Sequence, residues 1–188
     1  MKRVVILASG NGSLAQAIIE NAKELDVQIL AIICDQPKAF VLKRAKAADI
    51  ATQIVEMKKD RKSWDLDLIA LLRMLNPELV ICAGFMRLLS SETVSEFRII
   101  NSHPALLPNF PGAHAVRDAL AAGVNTTGTT IHWVDAGVDT GEIIAQESVE
   151  IESTDSEDSL HERIKIVERR LYVQTLRELL PTLEGSRG

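Results

Sequence analysis

The run Asn101-Ser102-His103-Pro104 closes a short β-branched stretch, and residues two apart on a strand share a face, so Asn101 and His103 aim at one pocket. Pro104 lacks an N–H and stops further pairing. A side-chain amide beside an imidazole is an oxyanion-binding pair, since both can donate and an imidazole exchanges protons near neutral pH. Downstream, Asp139 lies in Gly137-Val138-Asp139-Thr140-Gly141, where flanking glycines allow close backbone approach. A carboxylate there can orient His103 and favour its charged form. Taken singly, the three residues also read as a turn former, a core histidine and an Asx-turn residue. Their common place at element ends of one sheet favours chemistry.

A second group suits an anion. Ser9-Gly10-Asn11-Gly12-Ser13 joins a predicted strand to a predicted helix, so backbone N–H groups and the helix N-terminus can cradle a phosphate. With Ala15 the loop also satisfies G-x-G-x-x-A, and Asp35 stands about 20 residues on, where a ribose-binding acid belongs in a dinucleotide site. A non-catalytic dinucleotide-binding protein is therefore an alternative, although it has no need of Asn101, His103 and Asp139. Glu168 lies at the edge of the last helix's apolar stripe with Lys165 a turn before it. It reads either as a solvated edge or as a carboxylate facing the site.

Hydrophobic periodicity supplies the elements that must position these residues. Strands are predicted at Arg3 to Ala8, Leu30 to Cys34, Thr52 to Val55, Leu79 to Ala83 and Ile99 to Ser102. Helical spacing intervenes at Leu14 to Lys23, Ala39 to Ala48, Arg61 to Leu75 and Ser91 to Phe97, followed by Ala113 to Ala122. Two strands then follow without a helix between them, Thr129 to Val134 and Ile143 to Val149, and a last helix runs from Glu157 to Leu180. Thr154 and Glu157 predict a capping box at its start, and Leu160, Ile164, Val167 and Leu171 its buried stripe. The alternation predicts an α/β fold: a doubly wound, mostly parallel sheet in three αβα layers. In such sheets ligands collect at the carboxyl ends of strands, where Gly10, Gly84 and Asn101 all fall.

Composition narrows the function. The 188 residues carry 21 Lys plus Arg against 26 Asp plus Glu, a formal charge of −5, so no basic surface for nucleic acid or an anionic membrane is expected. At 46% hydrophobic and 25% charged the chain is an ordinary globular one. Its longest apolar runs fall well short of the ~20 residues of a membrane helix, and the first is too short for a signal-peptide core. A cytoplasmic protein is expected, with Cys34 and Cys82 as reduced core thiols and no metal site.

Beyond these readings, the chain resembles the phosphoribosylglycinamide formyltransferase family. The stretches that carry the resemblance are Ala8 to Ser13, Ala83-Gly84-Phe85-Met86-Arg87-Leu88-Leu89, Asn101 to Pro108, Phe110-Pro111-Gly112, and Asp135 to Gly141 with Glu142-Ile143-Ile144. The resemblance implies a Rossmann-like formyltransferase domain over 1–188 and transfer of the formyl group of 10-formyltetrahydrofolate, as co-substrate, to the amine of glycinamide ribonucleotide. It implies that Asn101 bonds the formyl oxygen, that a cationic His103 stabilises the oxyanion, and that Asp139 positions His103 and helps move the proton through a water. The ribonucleotide would rest on Gly12, Ser13 and Leu14, with Lys165 near the phosphate and Glu168 on the amine. The folate would lie against Met86, Arg87, Leu88 and Leu89, beside Asn101, with Arg61 near its tail. Leu14 departs from the family's usual Asn, and Val116 stands where a further His is common. A formyltetrahydrofolate hydrolase resembles the same core but usually adds an N-terminal domain, and methionyl-tRNA formyltransferase a C-terminal barrel; the length of 188 residues predicts neither. Monomer and homodimer both remain open.

Overall fold

A computed structural model describes residues 1–183. In chain order the elements are β1 (Lys2–Ala8), α1 (Ser13–Asn21), β2 (Val27–Cys34), α2 (Val41–Ala47), β3 (Thr52–Ile54), α3 (Arg61–Leu75), β4 (Leu79–Cys82), α4 (Ser91–Glu96), β5 (Ile99–His103), α5 (Ala115–Ala121), β6 (Thr126–Trp133), β7 (Ile143–Glu150) and α6 (Glu157–Leu179). The strands form one sheet in the order β3-β2-β1-β4-β5-β6-β7. β1 to β5 run parallel, while β6 is antiparallel to both β5 and β7. This is the expected Rossmann-like αβα sheet, with its order reversing between β1 and β4.

Alternate residues of the central strands build two cores. Val4, Ile6, Ile32, Ile81, Ile100 and Ile131 face α1, α2 and α6, whereas Val5, Leu7, Ile33, Val80, Cys82 and Ile99 face α3. Strands buried on both faces read as continuous apolar runs, which is why β1 and β4 were legible. Tyr172 of α6 spans the sheet layer, its hydroxyl reaching the carbonyls of Cys82 and Ile100. Cys34 and Cys82 are free buried thiols, and burial pushes Cys82 up to about 12.

One local expectation fails. The α6 capping box is built by Ser156 and Ser159, which exchange side-chain and backbone hydrogen bonds, not by Thr154 and Glu157. The reason lies just upstream, where Asp155 accepts from the Glu152 N–H and pairs with Arg163, making 152–155 a closed turn that delays the helix. Among the described residues no helix is long and apolar enough to cross a membrane.

Candidate active site

β5 carries Asn101 and His103 to the carboxyl end of the sheet on one face and Ser102 on the other. The chain after His103 is held over β6 by a small polar network. Thr130 donates to the Ala105 carbonyl at 2.6 Å and accepts from the Leu107 N–H at 3.0 Å, while Gln146 donates to the Leu107 carbonyl at 2.8 Å. That network brings the Phe110 carbonyl to 2.7 Å from His103 Nε2. On the other side of the ring, His103 Nδ1 lies 3.3 Å from Asp139 Oδ2. Both ring nitrogens thus face oxygen acceptors, an arrangement that is complete when both carry hydrogen. The His103 side chain is 5% exposed and that of Asp139 is 13% exposed.

Asp139 is itself held by its loop. The Asp135 carboxylate accepts from the Gly137 N–H and the Thr140 hydroxyl, and a Cβ on Gly141 would fall 1.7 Å from the Trp133 carbonyl oxygen. The loop therefore closes against the end of β6. Asp139 sits at φ 55, left-handed backbone that an L-residue enters at some cost. Its Oδ2 accepts from the Gly112 N–H at 2.8 Å, and its Oδ1 lies 3.6 Å from His132 Nε2. Composition and motif gave no reason to select His132. It is nonetheless buried, its Nε2 has no hydrogen bond among the described residues, and it stands opposite Asn101 across the β5–β6 pair. One signal was available: His132 falls in phase with Thr130 on a strand whose other residues, Trp133 apart, are small or β-branched.

The Asn101 side chain has no hydrogen-bond partner among the described residues, so its amide is open to a ligand. Ser102, pointing to the opposite face, meets Glu168 of α6. Burial pushes the Glu168 carboxyl up, against the Ser102 hydroxyl, Arg169 and Lys165. Lys165 itself donates to Glu162 at 2.7 Å, so its ammonium is engaged along α6. Arg169 and Arg170 join Ser13 and Arg44 in lining an open groove of about 590 Å³ between α1 and α6.

At the other strand end, α1 starts from Gly12 at φ 75 with no side chain capping it, which leaves the N–H groups at Ser13 and Leu14 aimed outward. The Leu14 side chain is buried in the core, so it offers only backbone here. Arg44 braces the loop through the Asn11 carbonyl and side chain. Across the β1–β4 switch, Met86 and Leu88 are 76% and 62% exposed, whereas Leu89 packs partly into the α3 core. Arg61 donates to the Leu88 carbonyl and covers Trp64. Arg87 Nε donates to Asp35 Oδ2 at 2.6 Å, and the Asp35 side chain is 1% exposed. Asp35 is therefore not available to a ribose, and the dinucleotide reading does not survive. Among the described residues no group of three or more His, Cys, Asp or Glu is placed to hold a metal ion.

A histidine braced by a carboxylate beside an open amide, at the switch point of a Rossmann-like sheet, suits enzymes that pass an acyl-type group through an oxyanion. A family model described as formyl transferase matches residues 2–176, and the chain belongs to that family. The phosphoribosylglycinamide formyltransferase of Mycobacterium tuberculosis is 42% identical over 181 residues, covering 94% of this chain and 84% of that one. The enzyme of the same name from Bacillus subtilis is 39% identical over 186 residues, covering 96% and 95%. The crystal structure of phosphoribosylglycinamide formyltransferase from Bacillus halodurans is 41% identical, with a TM-score of 0.91 over 97% of each chain.

Proposed function

We propose that this chain transfers the formyl group of 10-formyltetrahydrofolate to the amine of glycinamide ribonucleotide, a step of purine synthesis. The observation that carries the reading is the His103–Asp139 pair set beside the unpartnered Asn101 amide, in a chain whose relatives bear that enzyme's name. The ribonucleotide phosphate rests on the uncapped start of α1 at Gly12, Ser13 and Leu14. Its amine lies toward Glu168, and Lys165 would have to leave Glu162 to reach the phosphate. The folate lies against Met86, Leu88 and Leu89. Arg61 and Arg87 serve this half-site through the loop they brace, with Arg61 also near the folate tail.

In the reaction the substrate amine attacks the formyl carbon, and the formyl C=O becomes a tetrahedral oxyanion. Asn101 donates to that oxygen. His103 donates from Nε2, which must first exchange its Phe110 carbonyl partner for the oxyanion. Asp139 holds the ring, and through a water it moves a proton from the attacking amine to the folate nitrogen as the C–N bond breaks. No covalent enzyme intermediate is needed. We read 1–188 as one formyltransferase domain, supported by the single sheet of the described residues. The reduced buried thiols agree with a cytoplasmic setting.

A formyl-transfer assay run with and without glycinamide ribonucleotide tests the proposal. Turnover that requires the ribonucleotide supports it. Formate release without the acceptor would assign a hydrolase instead.

A further inference from the structure

The β1–β4 switch brings two loops together, 9–13 after β1 and 84–89 after β4. The second has no regular structure; Phe85 stacks on Trp64 and Leu89 packs partly into the α3 core, while Met86 and Leu88 between them turn to solvent. The exposed middle of the loop is held by polar contacts. The Ser9 N–H donates to the Gly84 carbonyl at 3.1 Å, and the Ser9 hydroxyl accepts from the Met86 N–H at 2.9 Å. Arg87 reaches across to Asp35 at the end of β2, and Arg61 of α3 takes the Leu88 carbonyl. Of these anchors only Asp35 is a charge buried in the sheet layer.

We propose that Asp35 is a positioning residue for the folate half-site, acting through Arg87 to hold the 84–89 loop against the Ser9 loop. This rests on the function proposed above and adds the element that sets its folate side. The guanidinium meets the buried carboxylate through one charge-assisted bond, Arg87 Nε to Asp35 Oδ2, and that bond restrains Arg87 and, with it, Met86 and Leu88 on either side. Burial pushes the Asp35 carboxyl up, but hydrogen bonds from Ser9, Arg87 and Gln36 outweigh it and leave the group below its ordinary value. The carboxylate is thus the working form at neutral pH. Because its guanidinium is engaged by Asp35, Arg87 acts on the folate through its own loop.

The test is a comparison of Asp35→Asn, Arg87→Met and the double variant by steady-state kinetics and by equilibrium binding of a non-reactive tetrahydrofolate analogue. Glu78→Gln serves as control, because it breaks another partly buried pair, Lys2–Glu78, at the opposite end of the same strands. Each variant in the 35–87 pair is expected to raise the folate KM and the analogue Kd about 5-fold or more, with kcat and the ribonucleotide KM within about 2-fold. The double variant is expected to cost no more than the worse single one. Glu78→Gln is expected to lower Tm without moving the folate KM. Analogue binding unchanged in both single variants, or equal rises in both KM values, would overturn the inference while leaving the proposed function standing. Failure of the unsubstituted protein to bind the analogue at all would overturn both.

Discussion

His103 Nδ1 faces Asp139 Oδ2 at 3.3 Å, and the backbone that presents Asp139 there is left-handed, at φ 55. A non-glycine residue held in that region marks a place where the surrounding loop, not local preference, decides the conformation. Asn tolerates the same backbone and keeps the hydrogen bond from Gly112. Asp139→Asn is therefore expected to leave Tm within about 3 °C while lowering kcat by about 10²-fold or more, since only the charge that orients His103 is lost. Thermal melts beside turnover numbers check this. Equal losses in both would mean that Asp139 is a loop residue first.

His132 offers the complementary case. Its Nε2 is buried without a hydrogen bond and points to the other oxygen of Asp139 at 3.6 Å. Replacing it with Leu removes that unsatisfied atom at similar volume but also the bond between His132 Nδ1 and the Trp133 carbonyl at 2.9 Å, so the two effects offset and stability should change by about 1 kcal/mol or less. If His132 helps set Asp139, kcat of His132→Leu falls about 10-fold. A variant with full turnover would make it an ordinary core histidine.

Much of this arrangement was legible in the chain. The β1 and β4 runs, the in-phase pair Asn101 and His103, and the glycine loop all lie where local pattern puts them. Other features depend on register and long-range packing, to which local pattern is blind. His132 meets the site only because β6 pairs antiparallel to β5 with His132 opposite Asn101. The Phe110 carbonyl on His103 and the Asp35–Arg87 bond join residues separated by loops. Lys165 turns to Glu162 because an i, i+3 partner is always within reach on a helix. The Thr154 cap failed since three candidate capping residues crowd 154–156 and only their hydrogen bonds distinguish them.

Two glycines of the phosphate loop separate folding from binding. A Cβ at Gly12 would lie 2.4 Å from Val41 Cγ2, at a backbone φ of 75, whereas a Cβ at Gly10 meets nothing within 4 Å. Gly12→Ala is thus expected to destabilise the fold by about 1–3 kcal/mol. Gly10→Ala should leave Tm unchanged and raise the ribonucleotide KM, because the added methyl meets no protein atom and enters the open space beside the proposed phosphate site. Tm and KM measured on the same preparations decide it; a Gly10→Ala protein with normal KM would move the phosphate elsewhere.

Glu168 links the site to pH. Burial raises its carboxyl above the ordinary value, so between the unfolded and folded values the native state holds a proton that the unfolded chain has released. Stability therefore falls as pH rises through that window and levels off above it. Glu168→Gln should remove this loss. A ligand ammonium seated against Glu168 should draw the carboxyl down and release a proton on binding. Calorimetry of glycinamide ribonucleotide binding in two buffers of different ionisation enthalpy, at an acidic pH inside that window, reads that release directly. Identical apparent enthalpies would place the amine away from Glu168.

In the proposed mechanism His103 stabilises the oxyanion and leaves ribonucleotide binding to other residues. Single-turnover formyl transfer by His103→Ala, with ribonucleotide Kd measured on the same protein, addresses it most directly. The expected rate is about 10²-fold or more below that of the unsubstituted protein, with Kd within about 3-fold. A rate within 10-fold of the unsubstituted protein, or a loss matched by an equal rise in Kd, would contradict it.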